Sequence, residues 1–100
     1  MTITLESIKK EVQKMGVQVY TDRNGLEVIR AKQGDIVIVR VENDSVFTQA
    51  KLETLTPKGL KLLEHWNGNV NNGKNNFFSS TSLNLTAKDE FLIYINNFNA

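Results

Sequence analysis

One hundred residues, 40% apolar and 23% charged, make one ordinary folded domain, which excludes wholesale disorder and leaves no room for a second core. The net charge is +1, from 12 Lys/Arg against 11 Asp/Glu, so the overall basic excess common in nucleic-acid binders is absent. With no cysteine, the chain builds neither a disulfide framework nor a thiolate metal site.

The first ten residues hold only isolated apolar side chains, and Lys9 and Lys10 come late, so no leader pattern is read there. No run approaches the roughly 20 apolar residues of a membrane-spanning helix. The expectation is a cytoplasmic protein with no membrane partner. A domain of this size buries a modest core, and a homodimer would extend it.

Leu5, Ile8, Val12 and Met15 recur at helical spacing and predict a helix over 4–15. Thr4 caps its start, and Gly16 supplies a left-handed stop. Four strands follow. The first is Val17 to Asp22, closed by Asn24-Gly25, the dipeptide that favours a two-residue hairpin with both residues at positive φ. The second is Leu26 to Lys32, turned by Gln33-Gly34-Asp35. The third is Ile36 to Asn43, and its Ile36-Val37-Ile38-Val39 run is apolar on both faces, as in a central strand or a subunit contact. Asp44-Ser45 turns into the fourth, Val46 to Leu55, where Val46, Thr48, Ala50 and Leu52 alternate with Gln49, Lys51 and Glu53.

Thr56-Pro57 opens a second helix, with Thr56 as cap and Pro57 in the first turn. Leu60, Leu63 and Trp66 form its stripe, with Leu62 beside it, and Asn67-Gly68 ends it. Residues 67–76 read as a polar Asn/Gly loop. A fifth strand fits 77–85 around Phe77, Phe78, Leu83 and Leu85. After Thr86, the acids Asp89 and Glu90 and the face Phe91, Tyr94, Ile95 and Phe98 predict a third helix. The alternative is a strand carried by Phe91, Ile93 and Ile95. The whole is an α+β fold in a single domain, 1–100: a four- to five-stranded antiparallel meander with two or three helices packed on one face.

No catalytic set can be assembled from these residues. Residues 68–74 spell G-x-x-x-x-G-K, but Asn75 stands where a phosphate loop needs Ser or Thr for Mg²⁺, and the segment leaves a helix rather than a strand. His65 is the single histidine, and its neighbour Glu64 points elsewhere on a helix, so no metal site is expected. Ser79, Ser80, Thr81 and Ser82 have no base nearby in sequence. Glu42, Asp44 and Glu53 lie on adjoining strands and read as solvated carboxylates. The chain is expected not to be an enzyme and to need no cofactor.

Basic residues fall on several elements: Lys9, Lys10 and Lys14; Arg30, Lys32 and Arg40; Lys58 and Lys61. Glu6, Glu11, Glu27, Glu42, Glu53 and Glu64 interleave with them, the pattern of a solvated face. Residues 36–64, a strand, a turn, a strand and then Thr56-Pro57-Lys58-Gly59, resemble the wing-to-final-helix passage of winged-helix repressors. The resemblance covers under a third of the chain. It implies a nucleic-acid-binding regulator using the hairpin 36–55 and the helix from Pro57. Upstream the chain departs from that family, since two strand-like segments around Asn24-Gly25 occupy the place of a helix-turn-helix.

The leading expectation is a non-catalytic binding or regulatory module that works through contact with a protein partner. Its candidate contact residues are Trp66, Phe77 and Phe78 beside the polar loop, with Lys58 and Lys61 on the preceding helix.

Overall fold

The structure is a computed structural model and describes residues 2–67, 78–85 and 88–100, with the backbone alone for residue 67 and for 78–85. Helix α1 spans Leu5–Lys14 and α2 spans Pro57–Asn67. Helix α3 spans Lys88–Asn99. Strands β1 (Gln18–Thr21), β2 (Glu27–Ala31), β3 (Gly34–Glu42), β4 (Ser45–Lys51) and β5 (Phe78–Leu85) form one five-stranded sheet in the order β1-β2-β3-β4-β5. Every neighbouring pair is antiparallel. This is the expected α+β meander, and the tail is the expected helix.

The period-two pattern of the strands divides the sheet into two faces. Ile29, Ala31, Ile36, Ile38, Val46 and Ala50 point one way, and they share one buried cluster with Ile8 and Val12 of α1, Leu63 of α2, and Phe91, Tyr94, Ile95 and Phe98 of α3. All three helices therefore contribute to the core on the same side of the sheet. The alternate residues Tyr20, Val28, Arg30, Asp35, Val37, Phe47, Gln49 and Lys51 line the other face.

Thr4 caps α1 as expected, and it does so within a capping box: its hydroxyl accepts from the Ser7 N–H, and the Ser7 hydroxyl accepts from the Thr4 N–H. Leu5 does not join the stripe it was assigned to and is exposed, because the helix turns only Ile8 and Val12 fully inward.

The hairpins differ from expectation at two turns. Asn24 is not left-handed; among residues 22–26 positive φ occurs only at Gly25, at 82°. Asp22 makes the difference. Its carboxylate accepts from the N–H groups of Asn24 and Leu26, both at 2.9 Å, and builds a longer loop. The two-residue loop with both residues at positive φ is Asn43-Asp44 instead, at 50° and 61°.

The fourth strand ends sooner than expected, at Lys51, and passes into a short 3-10 turn, Leu52–Thr54. The α2 stripe is also rotated from the one expected. Leu63 is buried and Leu62 partly so, while Leu60 and Trp66 are exposed.

The cause of that rotation lies at the helix start. Gly59 sits so close to the β2–β3 turn that a Cβ there would collide with the main-chain oxygen of Gln33. Gln33 itself is buried and holds three parts of the chain. Its main-chain oxygen accepts from the Thr56 N–H at 3.0 Å, its side-chain oxygen accepts from the Thr56 hydroxyl at 2.7 Å, and its amide nitrogen donates to the main-chain oxygen of Ala100 at 3.1 Å.

The β3–β4 hairpin is not a projecting wing. It occupies the middle of the sheet, flanked by β2 and β5, and strands rather than a helix-turn-helix precede it.

Candidate functional site

The helix-free face gathers polar, aromatic and cationic side chains. Register sets them in rows across the strands. Tyr20, Val28, Val37 and Gln49 form one row; Gln18, Arg30 and Asp35 begin the next, and Lys51, one residue past the Ile36–Ala50 pair, extends it. Val28 and Val37 are fully buried although none of the described helices packs on this side. Among the described residues, Tyr20, Arg30, Asp35 and Lys51 stand around them on this face. Tyr20 and Lys51 lie on strands three spacings apart, about 14 Å. Yet the Lys51 ammonium lies 6.0 Å from the centre of the Tyr20 ring, so the two lean toward each other over β2 and β3. Lys51 is itself buried.

Asp35 anchors this group. Its carboxylate accepts from the Tyr20 hydroxyl at 3.0 Å and from Arg30 Nε at 3.3 Å, and its N–H donates to the Thr54 hydroxyl at 2.9 Å. Arg30 also donates to the Tyr20 hydroxyl at 3.2 Å, and its guanidinium lies 4.9 Å from the centre of that ring. The hydrogen bond and the charge of Asp35, with a smaller contribution from Tyr20, raise the Arg30 pKa above its ordinary value. The two partners differ in exposure: the Arg30 side chain is 58% exposed and that of Asp35 only 6%. The acid lies underneath and the guanidinium faces water.

A second arginine is placed in the same manner by a β-bulge. The β3–β4 register shifts between Ile38 and Arg40, leaving Val39 as the extra residue. The shift keeps Val41 opposite Val46 and packed against the core, and it sets Arg40 opposite Phe47 on the open face. The Arg40 guanidinium lies 3.9 Å from the centre of the Phe47 ring. Its Nε donates to Glu42 at 2.9 Å, and its side chain is 53% exposed.

Of the residues expected at a contact site, Lys58, Lys61 and Trp66 lie away from this face. Lys58 and Lys61 are exposed on α2, on the helix side of the sheet. Trp66 is 36% exposed and packs edge-on against Tyr94, with ring centres 5.7 Å apart. One α-helix turns Lys61 and Trp66 about 140° from each other, so they do not share one face. Phe77 lies outside the described residues, as do 68–74 with the G-x-x-x-x-G-K pattern. Phe78 opens β5, its backbone paired with Lys51.

His65 lies edge-on to Trp66, with ring centres 6.1 Å apart. Glu42 is held by Arg40, and Asp44 accepts from the Ile3 N–H at 2.9 Å, so the carboxylates of these strands serve separate contacts. Among the described residues, no group of three or more His, Asp or Glu is placed to hold a metal ion. Among them, too, no helix is long and apolar enough to cross a membrane.

Tyr20 and Phe47 are the residues of this surface that sequence reasoning did not single out. The alternation in β4 marks a second face, and Arg30 and Arg40 stand out as strand cations. The bulge at Val39, which brings Arg40 onto Phe47, leaves no sign in the pattern. No family model, no curated protein and no solved structure matches the chain.

Proposed function

We propose that this chain is a small non-catalytic module acting through contact with a protein partner, and that the contact surface is the helix-free face of the sheet. The observation that carries the reading is the pair of arginine–aromatic stacks, Arg30 on Tyr20 and Arg40 on Phe47, on one face. Arginine and tyrosine dominate the energetics of protein interfaces, and aromatic residues are enriched there. Stacked guanidiniums are already ordered, so binding freezes less side-chain motion.

A nucleic-acid surface uses its ring faces as platforms for bases. Here cations already stand over both rings, and each arginine has a carboxylate neighbour, Asp35 or Glu42. Mixed charge of this kind suits a protein surface better than a phosphate backbone.

Capture from the native host's lysate, with and without nuclease and at two salt concentrations, tests the reading. Wild type is compared with Arg40→Glu/Phe47→Ser on the open face and with Lys58→Glu/Lys61→Glu on α2. A protein retained by wild type and by the α2 variant, lost with the open-face variant and indifferent to nuclease, supports it. Loss with the α2 variant alone moves the surface to that helix. Loss on nuclease treatment or modest salt makes nucleic acid the ligand.

A further inference from the structure

We infer that the occupant of the helix-free face is an acidic protein segment, whose carboxylates are received by the guanidiniums of Arg40 and Arg30. The inference rests on the proposed contact face and names the chemistry of its partner. Arg40 gives only its Nε to Glu42, and no hydrogen bond among the described residues engages its two terminal nitrogens. That edge of a guanidinium presents two parallel N–H donors, the geometry that matches a carboxylate. The ring beneath it, 3.9 Å away, fixes the plane in which the donors lie.

Arg30 adds a second cation. Asp35, which holds it, is buried, so the group a partner meets is the exposed guanidinium rather than the acid. Lys32, exposed in the turn that follows β2, extends the cationic side of this end. Glu42, an exposed acid beside Arg40, sits on its Nε side, away from the open edge. Each guanidinium is balanced by one carboxylate, so what favours an acidic segment is the directed N–H donors that Arg40 and Arg30 still expose, which a basic segment cannot use.

The test is a backbone amide shift titration of the intact chain with three probes at matched salt. They are a 20-residue Glu-rich peptide, a Lys-rich peptide of equal length and a 20-nucleotide oligo-dT. The expected result is selective shifts with the Glu-rich peptide at Tyr20, Arg30, Arg40 and Phe47. Arg40→Ala then weakens that binding about five-fold. Arg40→Lys, which keeps the charge and loses the fork, weakens it nearly as much. An unchanged thermal midpoint in both variants separates lost contact from lost fold.

Three results would overturn the inference. If the Lys-rich peptide binds the same residues equally well, the face stands as a contact surface and the acidic occupant fails. If no peptide shifts these amides at millimolar concentration, the acidic occupant also fails, and the capture experiment with the open-face variant decides the face separately. If oligo-dT binds more tightly than the Glu-rich peptide, the ligand is a phosphate chain.

Discussion

The Tyr20 hydroxyl donates to the Asp35 carboxylate at 3.0 Å across the intervening strand β2. That bond joins the edge of the sheet to its centre and holds a polar cover over Val28 and Val37. Both valines are fully buried on a face where none of the described helices packs.

The first prediction concerns the acid in that bond. Asp35→Ala leaves the Tyr20 hydroxyl and Arg30 without their acceptor and opens the cover over two valines. Stability should fall by about 2 kcal/mol. The urea midpoint drops with an unchanged slope. Asp35→Asn keeps an acceptor and costs less. A loss under about 0.5 kcal/mol for Asp35→Ala, the value of a solvated pair, would show that the cover contributes nothing.

A second prediction concerns Tyr94. Its hydroxyl is fully buried and has no hydrogen-bond partner among the described residues. Burial raises its pKa far above the ordinary value of 10.0. The sign follows from linkage. The contribution of the neutral phenol is complete below pH 10 and is lost as pH rises above it, because the unfolded chain ionises Tyr94 and the folded chain does not. Tyr94→Phe removes an unsatisfied hydroxyl and should stabilise by about 1 kcal/mol at neutral pH. Its advantage should widen in melts between pH 9 and 11. A destabilised variant would show that the hydroxyl has a partner in solution.

Glycine at position 59 yields a test of sign. In an open helix Gly→Ala stabilises by about 1 kcal/mol. At Gly59 the added carbon meets the main chain at Gln33, so Gly59→Ala should instead cost about 2 kcal/mol or more. A stabilised variant would mean that α2 does not rest on the β2–β3 turn.

The β3–β4 turn makes a fourth case. Asn43 and Asp44 both hold positive φ, which a β-branched residue resists. Asn43→Val should cost about 1–2 kcal/mol, whereas Asn43→Gly should be neutral within about 0.5 kcal/mol. Chemical denaturation of the two variants checks the difference. Equal stability would place the left-handed residues elsewhere.

Much of the fold was legible in the residues. The α3 stripe of Phe91, Tyr94, Ile95 and Phe98 is buried in full, and the apolar run Ile36 to Val39 does mark a central strand. What was not legible depends on contacts between distant parts of the chain. Asn24-Gly25 carries a strong local hairpin preference, but one carboxylate two residues earlier builds another loop. The α2 stripe fits helical spacing through Leu60 and Trp66, yet the approach of Gly59 to Gln33 sets which side faces the core. The open face was hidden for the same reason. Tyr20 and Lys51 are 31 positions apart, counted from their numbers, and only the strand order brings them together.

The most direct test of the central claim is hydrogen–deuterium exchange of the chain alone and bound to the captured partner. The account predicts added protection in segments 18–21, 27–31, 34–42 and 45–51 on binding, with no change over 57–67. Protection confined to 57–67, with those strands unchanged, would contradict it and return the contact surface to Lys58, Lys61 and Trp66.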